Sequence, residues 1–377
     1  MKVAFEIAER DTWQGGISNL SFLFHALKQA YGDHVSFCLL QRYSDYNIPV
    51  DLIECGAQAL KIPASRRWTA RWMARLNMKR SEIDVLFGLL LRHEYGRIPT
   101  LSWIPDFQHI HLPDMFNASE REKRDRLFLR SARLASRIIL MSDTVRKDFE
   151  SFASQYAHKA RVVRPVNDVP DSIYGVDPKF MLELYDLPEK FLYLPNQFWK
   201  HKNHEAVFRA VKILKDRGMR PFVVCSGYPG DSRYPTYFAD LCQTMSRLGI
   251  RNHIALLGLI PREHVLLLMR QAISVLNPSL FEGFGLTVEE ARSVGKRGVL
   301  SDIPAHREQD PPGAAYFNPY NCEDLAEKLG AIWRESVPGP DFELEIEARR
   351  VVRARLRASA ESFMSVLHEV TPHRGDR

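Results

Sequence analysis

The chain has 377 residues, more than one hydrophobic core usually serves, so two domains are expected. Hydrophobic residues make up 45% and charged residues 26%, an ordinary globular balance, and no apolar run approaches the roughly 18 residues that span a bilayer. A net charge of +6 with a pI near 9.0 admits nucleic acid, an anionic membrane surface or phosphorylated compounds as partners. Nucleic acid is the weakest of the three: there is no zinc-finger spacing and no RNP-like aromatic strand. The five cysteines (Cys38, Cys55, Cys225, Cys242 and Cys322) are odd in number and contain no CxxC pair, which points to reduced thiols and no zinc site. The start, "MKVAFEIAERD", lacks the form of a signal peptide, so a cytoplasmic protein is expected.

The elements follow in chain order. "KVAFEI" reads as a buried strand, "RDTWQGG" as a turn, and "ISNLSFLFHALKQA" as an apolar-periodic helix. "HVSFCLL", "EIDVLFGLL", "PTLSWIPD" and "ASRIILMS" are further strands, separated by helical or loop-like stretches. Two stretches between them are arginine-rich, "SRRWTARWMARLNMKR" (65–80) and "REKRDRLFLRSARLASR" (121–137). Near residue 165 the periodicity lapses in "RPVNDVPDSIYGVDP", which reads as a linker. Alternation then resumes with "KFLYLPN", the helix "NHEAVFRAVKILKDRG", "PFVVCSG", "HIALLG", "ISVLNPS", "RGVLS" and "AAYFNP". A long helix, "FELEIEARRVVRARLRASAESFMSVLHEV", precedes a frayed "TPHRGDR". The predicted fold is therefore α/β, with two Rossmann-like doubly wound domains facing each other across a cleft. The boundaries read as 1–165, a linker at 166–178, 179–345, and a C-terminal helix at 346–370 that packs back on the first domain.

"PSLFEGFGLTVEEA" (278–291) places Gly283 and Gly285 between a strand and a helix starting near Leu286 or Thr287. Backbone N–H groups and the positive helix end there suit a phosphate, and glycine lets it come close. Glu282 precedes those donors, where a carboxylate can accept hydrogen bonds from ligand hydroxyls. Thr287 and Glu290 also fit an S/T-x-x-E capping box, a purely structural role. "LPNQFWKHKNHEAV" (194–207) sets Lys200, His201, Lys202 and His204 at another strand-to-helix turn, where a lysine can meet a diphosphate or simply be solvated.

These segments, with "NPSLFEGFG", "VLSDIPAHRE" and "HKNHEAVFRAVKIL" in that neighbourhood and a Glu282–Glu290 pair separated by seven residues, resemble the donor site of retaining glycosyltransferases of family 4. The likeness covers nearly all of the C-terminal half and is looser in the N-terminal half, through "GGISNL", "WIPDFQHIHLPDMF" and "RIILMSDTVRKDF". It implies a GT-B architecture with a nucleotide sugar in the cleft. Glu282 would hold sugar hydroxyls and Glu290 the ribose, in competition with the capping role. Lys202 and the backbone from Gly283 through Phe284, Gly285 and Leu286 to Thr287 would hold the diphosphate end of the donor. Gly15 and Gly16 would face it from the first domain, and Ile260 would lie against the base.

Two positions depart from the family. Gln197 stands where an arginine is usual, five residues before Lys202, and Pro105 replaces the histidine of a His-Asp pair, leaving Asp106. His109 or His111 is the candidate for the missing imidazole, His109 being taken as catalytic with Glu282, Lys202 and Asp106; a structural role is the alternative.

The implied reaction is metal-independent transfer of a hexosyl group, with retention, from a GDP- or UDP-linked sugar to a saccharide or polyprenyl-linked acceptor, in surface polysaccharide or lipopolysaccharide synthesis. No D-x-D sequence and no cofactor motif occurs. A sugar-nucleotide epimerase or a phosphorylase on the same scaffold is the rival reading. The first loop lacks the G-x-G-x-x-G of dinucleotide oxidoreductases. If residues 66–80 are helical, Trp68, Trp72 and Leu76 form a stripe flanked by arginines, suited to peripheral contact at the cytoplasmic membrane face; the alternative is an ordinary surface helix.

Overall fold

The computed structural model describes residues 1–6, 14–41, 52–53, 56–61, 81–91 and 95–371. The stripe at 66–80, the turn at 7–13, Cys55 and the terminal 372–377 lie outside them. The chain divides into two compact units. The first comprises Met1–Pro113, Asn117–Asp168 and Arg353–Arg377, and the second Asp114–Phe116 and Val169–Val352. The division falls inside the predicted linker, which is well packed: Asn167, Val169 and Ile173 are buried and Asp171–Gly175 is a short helix.

Within the first unit the strands are β1 (Lys2–Glu6), β2 (Ser36–Gln41), β3 (Gln58–Lys61), β4 (Val85–Leu89), β5 (Thr100–Trp103), β6 (Arg137–Leu140) and β7 (Ala160–Val162). They form a parallel sheet in the order β3-β2-β1-β4-β5-β6-β7. Phe5 on β1 packs edge-to-face on Phe24 of the Gln14–Tyr31 helix, with centroids 4.3 Å apart, and Phe24 stacks on Phe37 of β2 at 4.3 Å. The last helix, Phe342–Val370, contributes Phe363 to the same core, 5.5 Å from Phe87 of β4. Its residues from Arg353 group with the first unit, and those before with the second.

In the second unit β8 (Leu192–Leu194), β9 (Val223–Cys225), β10 (Ile254–Leu256), β11 (Ser274–Asn277), β12 (Gly298–Ser301) and β13 (Ala315–Phe317) form a parallel sheet in the order β10-β9-β8-β11-β12-β13. Side chains alternate between two cores, as the pleat requires. Leu192, Leu194, Val223, Cys225 and Leu276 enter one, while Tyr193, Val224 and Val275 enter the other. This burial on both faces explains why the strands read as continuous apolar runs. Arg270, 2% exposed, bolts the second core: it pairs with both oxygens of Glu345 at 2.7 and 3.1 Å and donates to the carbonyls of Ile173 and Val176. Removing one partner of such a buried pair costs about 3–5 kcal/mol.

Strand order reverses between β1 and β4 in one sheet and between β8 and β11 in the other. Adjacent loops at such a point leave in opposite directions and open a crevice at the carboxyl ends of the strands, where α/β sheets bind ligands. No described helix is long and apolar enough to cross a membrane.

Candidate functional site

β8 and β11 end side by side at the second reversal, and the loops that follow carry the residues of interest. After β8 the chain passes through Asn196 and Gln197 to a single 3-10 turn, Lys200–Lys202, and then the His204–Asp216 helix. Asn203, between turn and helix, adopts φ +56°, and its amide donates to the carbonyls of Pro278 and Pro319 at 3.2 and 3.0 Å. Leu280 N–H donates to the His201 carbonyl at 2.8 Å. Two of these bonds staple the lysine turn to the loop after β11 and the third to the loop after β13, which brings Lys202 Nζ to 2.5 Å from Glu282 Oε1. The side chains are only 13% and 11% exposed.

Gly285 follows with φ +92°, the left-handed region, and caps the Leu286–Ser293 helix, which has no side-chain cap at its start. Val288 N–H bonds to the Gly285 carbonyl at 3.0 Å, which leaves the N–H groups of Leu286 and Thr287 to meet an anion, backed by the helix dipole. A second reason requires glycine there: a Cβ would sit 3.3 Å from Gln309 Nε2 and 3.4 Å from the His306 ring. Gln309 holds this turn by donating to the carbonyls of Phe284 and, at 3.1 Å, Gly285.

The electrostatics are set by the nearly buried Lys202–Glu282 salt bridge. Burial would raise the Glu282 carboxyl, but the Lys202 ammonium, with help from His201 and His306, takes it down to about 2. Burial lowers the imidazoles, His306 to about 4, His204 to about 3 and His201 well below its ordinary value, so all three are neutral near pH 7. His306 Nδ1 lies 2.9 Å from the Ser301 carbonyl and therefore carries the proton, which leaves Nε2 as an acceptor.

The capping box expected of Thr287 and Glu290 does not form. The helix starts two residues too early for it, with Gly285 rather than Thr287 as its cap, and Thr287 Oγ1 lies 3.0 Å from the Asn196 side-chain amide. Glu290 instead pairs with Arg262 at 2.5 Å. Gln197 Oε1 accepts from Tyr228 N–H at 2.8 Å, so the side chain in the family's arginine position braces the loop after β9. Ile260 packs against the second core, just past Gly258, whose carbonyl accepts from Gly227 N–H.

Lys202, Glu282, the Gly283–Thr287 turn, Glu290, Gln197 and Ile260 all belong to the second unit, and Gly15, Gly16, Asp106 and His109 to the first. Gly15 and Gly16 lie in the first turn of the Gln14–Tyr31 helix that follows β1. Asp106 is partly exposed and accepts from Gln108 N–H and Arg124. His109 is 2% exposed, hydrogen-bonded to Asp125 at 2.9 Å and set against the rings of Phe107, Phe128 and Phe152. His111 pairs with Asp148 on the surface. Asn196, Asn277, Ser279, His306 and Gln309 complete the site and carry no signal in sequence spacing. Among the described residues no cluster of three or more His, Cys, Asp or Glu side chains is arranged to hold a metal ion.

Comparison with known proteins places this geometry. Residues 182–340, within the second unit, match the family described as glycosyl transferases group 1. The O-antigen chain mannosyltransferase RfbU of Salmonella typhimurium is 25% identical over 173 residues, 43% of this chain and 47% of that protein, so the match spans about half the length of that relative. Across both units the fold matches a glycosyltransferase from Rickettsia africae ESF-5, with TM-score 0.70 and 14% identity over 98% of each chain. Anabaena Alr3699/HepE in complex with UDP and glucose gives 0.65 and 16%, again over 98% of each. At such identities the likeness is one of fold: two parallel-sheet Rossmann-like domains, as in GT-B glycosyltransferases.

Proposed function

We propose that the protein is a glycosyltransferase of family 4 that moves a hexosyl group from a GDP- or UDP-linked sugar to a saccharide or lipid-linked saccharide. In this reading transfer proceeds with retention, needs no metal or cofactor, and serves surface polysaccharide or lipopolysaccharide synthesis at the cytoplasmic membrane face. The observation that carries it is the Lys202–Glu282 pair beside the start of the Leu286–Ser293 helix, which has no side-chain cap, at the β8–β11 reversal, inside the glycosyl transferases group 1 match. RfbU, named for O-antigen mannosyl transfer, and HepE, seen with UDP and glucose, support the substrate class.

The chemistry follows from charge. Breaking the bond at the anomeric carbon builds negative charge on the departing diphosphate, and the Lys202 ammonium and the helix-end N–H groups oppose it in a water-poor pocket. Glu282, ionised and held in place, accepts hydrogen bonds from the sugar and favours the positive charge growing on its ring. Glu290 serves the ribose by exchanging part of its contact with Arg262. His109 is left out of the chemistry, because its ring is buried among phenylalanines.

The test is an NMR-monitored incubation of the full chain with UDP-, GDP- and ADP-sugars, without metal or acceptor. One nucleotide sugar should bind and slowly hydrolyse, and Glu282→Ala and Lys202→Ala should each abolish this. No binding to any, or binding that survives both substitutions, would defeat the reading.

A further inference from the structure

Ser279 lies between two acceptors and has one proton to give. Its Oγ is 2.6 Å from Glu282 Oε1 and 2.7 Å from Asn277 Oδ1, and the residue is fully buried. With the amide of Asn277 in that orientation, one of the two contacts sets lone pair against lone pair. The Nδ2 of the same amide, with two protons, is buried and has no partner. Turning the Asn277 amide by 180° removes both faults: Nδ2 then donates to Ser279 Oγ, and the serine proton is left for Glu282. Asn196, whose amide lies 3.3 Å from that of Asn277, turns with it, so that its oxygen faces Asn277 and its NH2 faces Thr287 Oγ1 at 3.0 Å. Each short contact in the row becomes a hydrogen bond with a defined donor, and one carbonyl oxygen stands where two protons went unbonded.

We propose that Asn277 and Ser279 are positioning residues for Glu282, forming a one-way relay in which the Asn277 amide donates to Ser279 Oγ and Ser279 donates to Glu282 Oε1. Lys202 Nζ reaches the same oxygen at 2.5 Å. Oε1 is therefore filled by two donors, and Oε2 is the oxygen turned over to a ligand hydroxyl. Such an arrangement fixes the carboxylate's rotation and keeps it ionised, as a group that must accept from a sugar hydroxyl requires. Only the identity of that ligand rests on the transferase reading.

Two readouts on the full chain test it. The first needs no ligand: the side-chain NH2 signals of 15N-asparagine-labelled protein, with Asn277 assigned by its loss in Asn277→Asp. One Asn277 amide proton should be shifted downfield and protected from exchange, and Ser279→Ala should abolish both effects while Ser279→Thr retains them. An Asn277 signal indifferent to Ser279→Ala overturns the relay. The second compares binding of UDP-glucose and GDP-mannose with binding of UDP and GDP. Ser279→Ala should weaken the sugar nucleotide about tenfold, as loss of one hydrogen bond to a charged group predicts, and leave the nucleotide unchanged. Equal weakening of both, or of neither, overturns the positioning role. If the unmutated chain binds neither sugar nucleotide, the transferase reading falls while the amide measurement still decides the relay.

Discussion

Replacing Lys202 by methionine isolates the electrostatic design of the site. The substitution keeps most of the apolar stem and removes the ammonium that sits 2.5 Å from a carboxylate 11% exposed. A carboxyl held at about 2 in the fold and near 4.5 when unfolded stabilises the fold wherever the pH exceeds 4.5, and loses that contribution as the pH falls through 2. At 1.36 kcal/mol per pH unit the contribution is about 3 kcal/mol at pH 7 and about 1 kcal/mol at pH 3. Without Lys202, burial is left as the dominant influence and lifts the carboxyl above its ordinary value, so the contribution at neutral pH vanishes or reverses. Urea denaturation of the full chain, followed by the fluorescence of Trp199, whose ring lies 5.7 Å from that of His201, should show Lys202→Met losing about 3–5 kcal/mol at pH 7. The loss should shrink toward about 1 kcal/mol at pH 3, since the pair then contributes little in the parent protein. Adding Glu282→Gln to Lys202→Met should recover most of the stability, because a neutral amide still accepts from Ser279. A loss below about 1 kcal/mol at pH 7, or one independent of pH, would refute the reasoning.

Two further outcomes follow from the same pocket. His204 and His306 have folded values of about 3 and about 4 against 6.5, so the unfolded chain takes up their protons first; their contribution is full above 6.5 and falls as the pH drops toward those values. Each should forfeit about 3 kcal/mol between pH 7 and pH 4, with His201 adding to the same trend, so the thermal midpoint of the second unit should fall steeply over that range, and His204→Phe should remove about a third of the slope; an unchanged slope would count against the assignment. Gly285→Ala should cost about 1–3 kcal/mol and weaken nucleotide binding, because φ is +92° and the new methyl meets Gln309 and His306. At Gly258, where φ is +68° with nothing within 4 Å, alanine should cost only the backbone strain of about 1 kcal/mol; equal Tm losses at the two sites would show that the packing around Gly285 is immaterial.

Eleven strands are legible from apolar runs bounded by turn residues, and the Phe342–Val370 helix is legible as an element. Two strands are not, and both lie at the edges of the first sheet: β3, Gln58–Lys61, and β7, Ala160–Val162. An edge strand is short and half wet, so its residues need not be apolar, and its pairing comes from the neighbour already in place. The same division runs through the site. Glu282, Lys202 and the glycine turn stand out because their residue types are unusual where a strand gives way to a helix. Local pattern misleads at Thr287, whose spacing to Glu290 fits a cap, because no sequence window shows the Asn196 amide waiting 91 positions away to bond its hydroxyl group. Amphipathic period and turn chemistry act between near neighbours and are written along the chain. The bond between Asn196 and Asn277, and the pairing of Glu282 with Lys202, exist only because parallel strands β8 and β11, far apart in sequence, end beside one another.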